Sequence, residues 1–396
     1  MVKRVGVIGG GQLAWMMAAE AAKLDLELMV QTPSLDDPAV ARLLGTHFVV
    51  QGAVDDVGAT AEMASSCDVI TFENEFVDLK ALGHLAKLGH RFYPTLKSLK
   101  PLLDKYEQRQ FLQEIGLPVP GFADLSAVGA ALTHWENGDA VEFPVVVKTR
   151  RNGYDGQGTF VVRSPETLQE ICEKLAHQPL LVEEFVPFVK ELAAIATRSV
   201  SGDVAVYPIV ETQQEDQVCR RVIAPAEISA TARDRSMAIA QTLLEKLEGV
   251  GTYGIELFLT ADDRVLVNEV APRTHNSGHF TIETCVASQF EQHLRAVADL
   301  PLAPAKMTVP AAIMVNLLGF ESVDFESTQP DSLKGGYGDR LNKICALPYT
   351  QVHWYGKMAS RPGRKLAHVT LWAMESEEVP TLGDRAKQIE KIWYES

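Results

Sequence analysis

Cysteine is scarce in this sequence, and long apolar runs are missing from it. The five cysteines among the 396 residues are widely scattered, odd in number and form no CxxC pair. This pattern predicts neither a disulfide framework nor a zinc site. Because no run of about 18 apolar residues occurs, no membrane-spanning helix is expected. The first residues, MVKRVGVIGGG, lead directly into a glycine-rich strand without an apolar signal core. We therefore expect a cytoplasmic protein with reduced thiols.

Positive charge is also in short supply. The sequence has 37 lysines and arginines against 52 aspartates and glutamates, which gives a formal net charge of −15. Such a surface repels nucleic acids and anionic membranes, so neither is expected as a partner. A small anionic substrate would need a local basic pocket. With 46% hydrophobic and 22% charged residues, the composition is that of a folded globular protein.

Alternating strand and helix patterns organise the first hundred residues. Buried strands are predicted at 5–9, 26–31 and 68–72 with helices between them, which is typical of a doubly wound parallel sheet. Further helices are predicted near 101–115, 165–175, 283–300 and 383–394, and a β-rich region begins at Pro301. The sequence thus predicts a mixed α/β and α+β chain with three domains, at residues 1–100, 101–300 and 301–396.

The segment GVIGGGQLA (6–14) nearly fits the dinucleotide-binding fingerprint, with Gly9, Gly11 and Ala14 at its glycine positions. A dinucleotide enzyme also needs an acidic residue at the end of the second strand, where it binds the ribose hydroxyls. That strand ends at Gln31, so a hydride-transfer enzyme is disfavoured. The glycines still suit another phosphate-bearing substrate, because they let the backbone approach a phosphate closely.

The most informative segment is a predicted β-hairpin, YGIELFLTADDRVLVNEV (253–270). A turn between Asp262 and Asp263 would place Glu256 directly opposite Glu269, about 5 Å apart on one face. A hard cation between the carboxylates would remove their repulsion, and Mg²⁺ prefers such oxygens together with water and substrate phosphates. Asn268 adds a neutral oxygen ligand or an orienting amide. The alternative is a pair of carboxylates on a wet sheet face.

Cationic and glycine-rich positions elsewhere suit the phosphate end of a nucleotide. Lys148 ends the apolar strand PVVVK, and GYDGQG (153–158) follows it with N–H groups that can cover a polyphosphate. Upstream, Lys105, Gln108 and Arg109 share one helix face. A plain hairpin turn is the alternative for the glycine loop, and a merely solvated face is the alternative for the helix.

Two further segments carry polar side chains in suitable places. VEEFVPFVKE (182–191) is a strand end and connector that can bind the edge of adenine, and its carboxylates can accept both ribose hydroxyls. KMASRPGRK (357–365) concentrates cations in the way that a local basic pocket for an anionic substrate requires. A solvated charge run is the alternative for this second segment.

The order of these features resembles the ATP-grasp superfamily. More narrowly, the chain resembles the family of N5-carboxyaminoimidazole ribonucleotide synthetases over essentially its full length. Four segments carry this resemblance: GGGQLA (9–14), TFENE (71–75), NEVAPRTHNSGH (268–279) and GKMASRPGRKLAHV (356–369). The last two are the specific ones, because glycine loops and metal-binding carboxylates occur throughout the superfamily.

The resemblance implies an ATP-grasp architecture with an N-terminal doubly wound domain and a small C-terminal β-rich domain. It implies an ATP-dependent carbon–nitrogen ligase of purine biosynthesis. Such enzymes phosphorylate bicarbonate to carboxyphosphate and transfer the carboxyl group to 5-aminoimidazole ribonucleotide, releasing ADP and phosphate. Mg²⁺ is the implied cofactor, and a homodimer is the implied assembly.

The resemblance also assigns roles to individual residues. The catalytic residues are Arg273, His275, Asn276 and His279. ATP is bound by Lys105, Lys148, Gly153, Tyr154, Asp155, Gly156, Gln157, Gly158, Thr159, Glu183, Glu184, Phe185, Val186, Glu191, Gln214, Asn268 and Glu269. The ribonucleotide is bound by Gln12, Glu75, Lys357, Arg361, Arg364 and Lys365, and the metal by Glu256 and Glu269.

Three positions depart from the family pattern. Lys105 stands where the family usually has arginine, Gln214 where it often has histidine, and Trp15 where it commonly has arginine. The first change keeps the charge and loses bidentate geometry. The nearest rival activity is another ATP-grasp ligase, such as formate-dependent glycinamide ribonucleotide transformylase. A catalytically silent nucleotide-binding protein is the other alternative, and the retained Glu256, Glu269 and Arg273 argue against it.

Overall fold

A computed structural model of the chain describes residues 3–43, 48–125, 133–151, 158–324 and 337–395. Parallel strands with crossover helices come first, and antiparallel sheets make up most of the remainder. This is the mixed α/β and α+β content predicted from the sequence. Within the described ranges, no helix combines the length and apolar character needed to cross a bilayer.

The N-terminal region is a parallel sheet covered by helices on both faces. Its strand order is β3-β2-β1-β4, and the predicted doubly wound parallel sheet is confirmed. Val5 and Val7 are fully buried, as expected for a strand with both faces covered. The elements are β1 Arg4–Ile8, α1 Gln12–Ala21, β2 Glu27–Thr32, α2 Pro38–Arg42, β3 Val49–Gln51, α3 Val57–Ser66, β4 Val69–Phe72 and α4 Leu79–Lys87.

A short helical connection, α5 Leu96–Leu99 and α6 Lys105–Glu114, leads into the second region. The helix predicted from about residue 101 begins four residues later, at Lys105. Pro101 lies in a separate 3-10 turn, and Asp104 caps α6 by accepting the backbone N–H groups of Tyr106 and Glu107. This start places Lys105 in the first turn of α6.

The next unit is a small antiparallel sheet with strand order β5-β8-β6-β7 and one covering helix. Val145, Val147 and Val182 face the helix residue Leu168, and all four are buried. The sheet carries Lys148 near the end of its central strand β6. Its elements are β5 Phe122–Asp124, β6 Val145–Thr149, β7 Thr159–Val162, α7 Pro165–Lys174 and β8 Leu180–Glu184.

Most strands of the remaining chain build one nine-stranded sheet, in the order β14-β13-β9-β11-β12-β15-β19-β17 with β10 added on β9, and β16 and β18 form a separate two-stranded sheet. The β-rich C-terminal region therefore continues the central sheet, because β12 pairs with β15 through Val222 and Met314. The elements are β9 Phe188–Arg198, β10 Val204–Val206, β11 Val210–Glu215, β12 Val218–Ala224, α8 Ala230–Leu247, β13 Gly251–Thr260, β14 Val265–Ala271, α9 Thr281–Thr284, α10 Gln289–Val297, β15 Ala311–Leu318, β16 Val323–Asp324, α11 Gly338–Cys345, β17 Thr350–Trp354, β18 Ala359–Ser360, β19 Lys365–Ala373 and α12 Leu382–Glu395.

The single helix predicted at 283–300 is wrong. Two helices, α9 and α10, occupy this segment and are separated by extended residues at 285–288. Ser288 starts the second helix, because its hydroxyl accepts the backbone N–H of Glu291 at 3.0 Å. Cys285 forms an isolated antiparallel bridge with Met307, which breaks the helical periodicity.

His293 on α10 ties the N-terminal sheet to the large sheet. Its Nδ1 accepts the backbone N–H of Thr252 at 3.0 Å, and its Nε2 lies 2.7 Å from Thr71 Oγ1. Because a backbone N–H can only donate, the ring proton is on Nε2 and is donated to Thr71. The ring is fully buried, and this burial lowers the pKa of His293 to about 4.

The buried, neutral state of His293 predicts a loss of stability in mild acid. Below about pH 6.5 the unfolded chain binds a proton that the native ring takes up only near pH 4. The free energy of unfolding should therefore fall as the pH drops between these values, with this histidine contributing about 1.4 kcal/mol per pH unit. Urea unfolding of wild type and His293→Gln across this window measures the contribution. A slope that is unchanged in the variant would contradict it.

Candidate active site

Glu256 and Glu269 lie directly opposite each other on β13 and β14, as predicted. The turn differs from the prediction. The loop has three residues, 261–263, with Asp263 at φ +60°, and Thr260 closes it by donating its N–H to Arg264. A one-residue bulge at Asn268 then shifts the register by one residue. This shift offsets the different turn, so Glu256 and Glu269 still pair.

The bulge turns Asn268 toward the same face as the two glutamates. Its Nδ2 donates to Glu256 at 3.2 Å, and its Oδ1 accepts from Lys148 at 3.1 Å. Lys105 lies 2.5 Å from Glu269. Two lysines from other elements, Lys105 on α6 and Lys148 on β6, thus bond to the hairpin, so its polar side chains are not an unpartnered wet sheet face.

The two carboxylates are electrostatically unequal. Partial burial and the charge of Glu269 raise the pKa of Glu256 to about 7. Burial opposes ionisation of Glu269 as well, but the neighbouring Lys105 ammonium outweighs it and lowers the pKa of Glu269. Both side chains remain more than a third exposed to the cleft, at 37% for Glu256 and 39% for Glu269. A cation bound between their oxygens would therefore be stabilised by both, which suits Mg²⁺.

Behind these groups lies a buried charge network that the sequence did not reveal. Glu183 is 3% exposed and forms ion pairs with Arg109 and, at 2.6 Å, with Lys148. Burial raises the carboxyl pKa, but these two cations dominate and lower the pKa of Glu183 to about 2. Arg109 also donates to the Asn268 carbonyl. Glu183 thus holds Lys148 from the protein interior. The sequence analysis had predicted that Glu183 itself contacts ATP.

Lys105, Gln108 and Arg109 lie on one helix face, as predicted, and this face is packed against the protein and not merely solvated. Gln108 and Arg109 are both 2% exposed. The Gln108 amide accepts the backbone N–H of Val270 at 2.8 Å and donates to the Val270 carbonyl at 3.1 Å. The helix is therefore fastened to β14 directly beside Glu269.

The connector after β8 forms one end of the same cleft. Glu184 is exposed and accepts the backbone N–H of Gly121 at 3.1 Å, Phe185 is exposed, and Val186 is buried. Glu191 pairs in register with Phe258, and burial raises its carboxyl pKa. Gln214 is exposed near the end of β11. The nucleotide contacts predicted for Glu184, Phe185, Val186, Glu191 and Gln214 stay predictions.

Phe188 and Phe258 form a flat aromatic surface that the sequence analysis missed. Their rings are parallel within 4° with centroids 4.7 Å apart, and Phe188 is 42% exposed. Phe258 lies two residues beyond Glu256 on β13, so the pair continues the glutamate face toward the connector. In the sequence, the two residues appear only as single aromatic residues in two separate segments. Strand alternation alone would assign both of them to the core.

Most of the predicted glycine loop, residues 152–157, lies outside the described residues. Gly153, Tyr154, Asp155, Gly156 and Gln157 belong to this part. Gly158 has φ +80°, and a Cβ there would come within 2.4 Å of Thr149 Oγ1, so glycine is required. Thr159 follows at the start of β7 and pairs with Lys148.

The segment after β14 brings Arg273 and His275 to the cleft. Arg273 forms two hydrogen bonds with Glu75, at 2.6 and 3.3 Å. His275 Nε2 lies 3.5 Å from Glu256 Oε1. Burial, and then the charges of Arg273 and Lys365, lower the pKa of His275 to about 4. The imidazole is therefore neutral at physiological pH.

The other two predicted catalytic residues bond to neighbouring side chains of the protein. Asn276 pairs its amide with the amide of Asn316, at 2.7 and 2.9 Å. His279 is fully buried, and its Nδ1 lies 3.1 Å from the Gln289 amide nitrogen. The 3-10 turn at 276–278 directs the His279 ring inward. Direct substrate contact, predicted for His279, is therefore corrected to a supporting position beneath the cleft.

The N-terminal glycine segment is occupied by an internal carboxylate. Glu73 accepts the backbone N–H groups of Gly11 at 2.5 Å and Leu13 at 3.0 Å. The start of α1 is therefore satisfied without a phosphate. Gln31 bonds to Thr60 and to the Ala53 carbonyl, which fits the exclusion of a dinucleotide enzyme. Gln12 is half-buried beside this segment.

The basic segment 357–365 folds back on itself at the start of β19. Lys357 donates to the Lys365 carbonyl at 2.7 Å, and Arg364 donates to the Ala359 carbonyl at 3.0 Å. Arg361 is exposed. The effect of Lys365 on His275 shows that this segment reaches the same cleft. Lys365 is therefore near His275, and the phosphate-binding role of the segment stays a prediction.

Family models match the chain in three consecutive blocks. The ribonucleotide synthetase preATP-grasp domain matches residues 2–101, the ATP-grasp domain matches 110–290, and the phosphoribosylaminoimidazole carboxylase C-terminal domain matches 312–381. The cleft described above draws residues from all three blocks.

Individual relatives resemble the whole chain. The N5-carboxyaminoimidazole ribonucleotide synthase of Synechococcus elongatus is 50% identical over 395 residues, which cover 99% of this chain and 96% of the relative. That of Synechocystis sp. is 48% identical over 401 residues, with 98% of each covered. The crystal structure of the synthase from Aspergillus clavatus with ADP and 5-aminoimidazole ribonucleotide has a TM-score of 0.84 at 30% identity and covers 98% of both chains.

The buried network behind the cleft generates a stability prediction. Arg109→Met removes one partner of the buried Glu183 carboxylate and should lower the free energy of unfolding by about 3 kcal/mol, because an under-neutralised charge stays buried. Arg264→Met is the matched control, since its ion pair with Asp262 is exposed, and it should leave the urea midpoint unchanged. Equal midpoints for the two variants would contradict the structural role of Arg109.

Proposed function

This chain belongs to the N5-carboxyaminoimidazole ribonucleotide synthase family, and we propose that its cleft activates bicarbonate with ATP to carboxylate 5-aminoimidazole ribonucleotide. ATP-dependent carboxylation of this ribonucleotide in purine biosynthesis is the activity of the family. The finer steps rest on one observation, the convergence of Glu256, Glu269 and Arg273 on a single cleft beside the basic segment.

The metal and phosphate end of the cleft is formed by the hairpin and two lysines. We assign Mg²⁺ to Glu256 and Glu269, whose opposed oxygens and raised Glu256 pKa suit a hard cation. A metal ion there neutralises charge on the phosphates of ATP. Lys105 and Lys148 are held at this end by Glu269 and Glu183, and they compensate the charge that develops during phosphoryl transfer.

The nucleoside end lies along the connector and the aromatic pair. Phe188 and Phe258 offer a flat apolar surface for a purine ring. We assign the edge of adenine to backbone groups at 184–186 and the ribose hydroxyls to Glu191. Gln214 is assigned to the same end, and residues 153–159 to the cover of the triphosphate.

Bicarbonate is assigned to Arg273, with His275 and Asn276 beside it. The guanidinium is already oriented by its two bonds to Glu75, so an anion can bind it without reordering the side chain. His275 is neutral and can donate or accept a hydrogen bond but adds no charge. Attack of a bicarbonate oxygen on the γ-phosphate forms carboxyphosphate, which must be kept from water because it decomposes readily.

The ribonucleotide is assigned to the opposite wall. Lys357, Arg361, Arg364 and Lys365 supply the positive charge for its phosphate, which an otherwise acidic protein of net charge −15 needs locally. Gln12 and Glu75 lie on the N-terminal side of the cleft and are assigned to the aminoimidazole and its ribose. In this arrangement the amine meets the activated carboxyl group beside Arg273.

The family resemblance also supports three broader proposals. The chain acts in the cytoplasm, it assembles as a homodimer, and it divides into domains at residues 1–100, 101–300 and 301–396. The large sheet crosses the last boundary, so the second and third domains share one sheet.

The decisive experiment measures ADP release and labelled product together. Wild-type protein receives Mg·ATP, 5-aminoimidazole ribonucleotide and labelled bicarbonate in carbon-dioxide-depleted buffer, and parallel samples receive formate or no acyl donor. We expect bicarbonate-dependent ADP release with label in the ribonucleotide, because the cleft pairs an anion site with an amine site. Formate-dependent release would favour the transformylase activity, and no release under any condition would support the silent nucleotide-binding protein.

Glu269→Gln is the matched variant for this assay. The amide keeps the shape and removes the charge, so kcat should fall by about 100-fold or more while thermal unfolding shows a folded protein. Near-normal turnover in this variant would refute the assignment of Glu269 to the metal.

The basic segment generates a separate kinetic prediction. Arg364→Ala should raise the KM for 5-aminoimidazole ribonucleotide about tenfold, because a charge-assisted bond to its phosphate is lost. The KM for ATP serves as the internal control and should stay within about twofold. Equal increases in both constants would overturn the assignment of this segment to the ribonucleotide phosphate.

A further inference from the structure

Asn316 on β15 is a polar residue buried in the large sheet, and its side-chain amide bonds to the Asn276 amide and to the neighbouring strand β12. Its Nδ2 donates to Asn276 Oδ1 at 2.7 Å and to the Cys219 carbonyl at 2.9 Å. Its Oδ1 accepts from Asn276 Nδ2 at 2.9 Å. Asn316 is 0% exposed, so these bonds have no competition from water. A fully satisfied buried amide of this kind fixes geometry strongly.

The segment that Asn316 holds is clamped from its other side by Gln289 on α10. Gln289 Oε1 accepts the backbone N–H of His275 at 2.9 Å, and its Nε2 donates to the His275 carbonyl at 2.7 Å. Residues 275–278 are therefore held between two buried side-chain amides, that of Gln289 on α10 and that of Asn316 on β15.

The clamp determines where the His275 ring lies. The ring packs directly over Gly254, where a Cβ would come within 2.4 Å of His275 Cβ. It thereby reaches the neighbouring strand residue Glu256, with 3.5 Å between Nε2 and Oε1. Arg273 precedes this clamped turn by only two residues. A shift of the turn thus moves the residues to which we assign bicarbonate.

The same amide also fixes the turn relative to the basic segment. Asn316 pairs in register with His368 on β19, and two residues further along β15, Leu318 pairs with Lys365. Lys365 is thus held on the strand adjacent to Asn316. The amide pair therefore links the turn that carries His275 to β15, the strand next to the one that carries Lys365.

We propose that Asn316 is a positioning residue for carboxyl transfer: it sets the spacing between the residues that activate bicarbonate, 273–275, and the basic wall at Lys365. This inference rests on the proposed function. In the productive reaction, the bond between carboxyl carbon and phosphate oxygen breaks, a carbon–nitrogen bond forms at the ribonucleotide amine, and the proton of the amine passes to the released phosphate. When the spacing is wrong, water takes the place of the amine and carboxyphosphate returns bicarbonate and phosphate.

The number of labelled ribonucleotides formed for each ADP released tests this role. Asn316→Ala should lower this ratio about fivefold at saturating substrates, because ATP is still consumed while the carboxyl group is lost to water. Asn316→Asp should lower it as well, since a carboxylate cannot donate to Asn276 or Cys219. Asn276→Ala removes the same amide pair from the cleft side, and the double variant with Asn316→Ala should be no worse than the poorer single variant.

Thr370→Val is the matched control. Thr370 is fully buried on β19 and pairs in register with Met314, two residues from Asn316, and within the described residues its hydroxyl has no hydrogen-bond partner. Its ratio should equal that of wild type. If Asn316→Ala and Asn316→Asp fail to fold in a thermal unfolding test, Asn316→Ser, which loses the paired amide but keeps a small polar side chain, supplies the measurement.

The outcomes separate the inference from the proposed function. A variant ratio equal to wild type, with only the overall rate reduced, would overturn the positioning role and leave Asn316 as a structural residue. Additive losses in the double variant would overturn it too, because the two amides would then act independently. If wild-type protein itself forms no labelled ribonucleotide, the proposed function fails, and the inference fails with it.

Discussion

The repulsion between Glu256 and Glu269 is the constraint around which the cleft is organised. Two carboxylates held opposite each other on adjacent strands can both ionise only when the surroundings compensate their charge. Lys105 compensates Glu269 directly, and the Asn268 amide bonds Glu256 without adding charge. The incomplete compensation at Glu256 raises its pKa to about 7, and a cation bound between the two carboxylates would remove this deficit. Compensation continues inward, where Glu183 accepts ion pairs from Lys148 and Arg109 in the protein interior.

The pairing of the two glutamates could be predicted from the sequence, but the turn length and the bulge that produce this pairing could not. Strand alternation and the turn residues located the hairpin correctly. The turn was predicted between Asp262 and Asp263 but is centred on Asp262, and the bulge at Asn268 compensates this shift so that the glutamates still pair. Asn268 forms its bonds with Lys148, and Arg109 binds its carbonyl, so the bulge depends on contacts from distant parts of the chain. No local pattern encodes those contacts.

From the sequence it was possible to predict which residues carry suitable functional groups. It was not possible to predict whether each side chain faces the cleft or the protein interior. Glu183 and His279 stand in the expected motifs, yet both are buried and support other side chains. Glu73 was not singled out in the sequence analysis. Its carboxylate accepts the backbone N–H groups at the start of α1, where the glycine fingerprint had suggested a phosphate site. Whether a polar side chain reaches solvent depends on packing between segments far apart in sequence, and periodicity within one segment does not report it. The aromatic pair of Phe188 and Phe258 was missed for the same reason.

The continuity of the large sheet explains how a distant C-terminal segment comes to serve the cleft. Pairing of β12 with β15 joins residues about ninety positions apart, and β19 then carries Lys365 to the same side as His275. The cations of the cleft itself arrive with partners, Lys105 with Glu269, Lys148 with Glu183 and Arg273 with Glu75. An anion entering such a cleft must displace a carboxylate or bring its own cation. On the proposed assignment, ATP that arrives with Mg²⁺ would do the second, because the metal would compensate the glutamates and the phosphates would pair with the lysines. An acidic protein can in this way select a metal-bound nucleotide over other anions without a strongly positive surface.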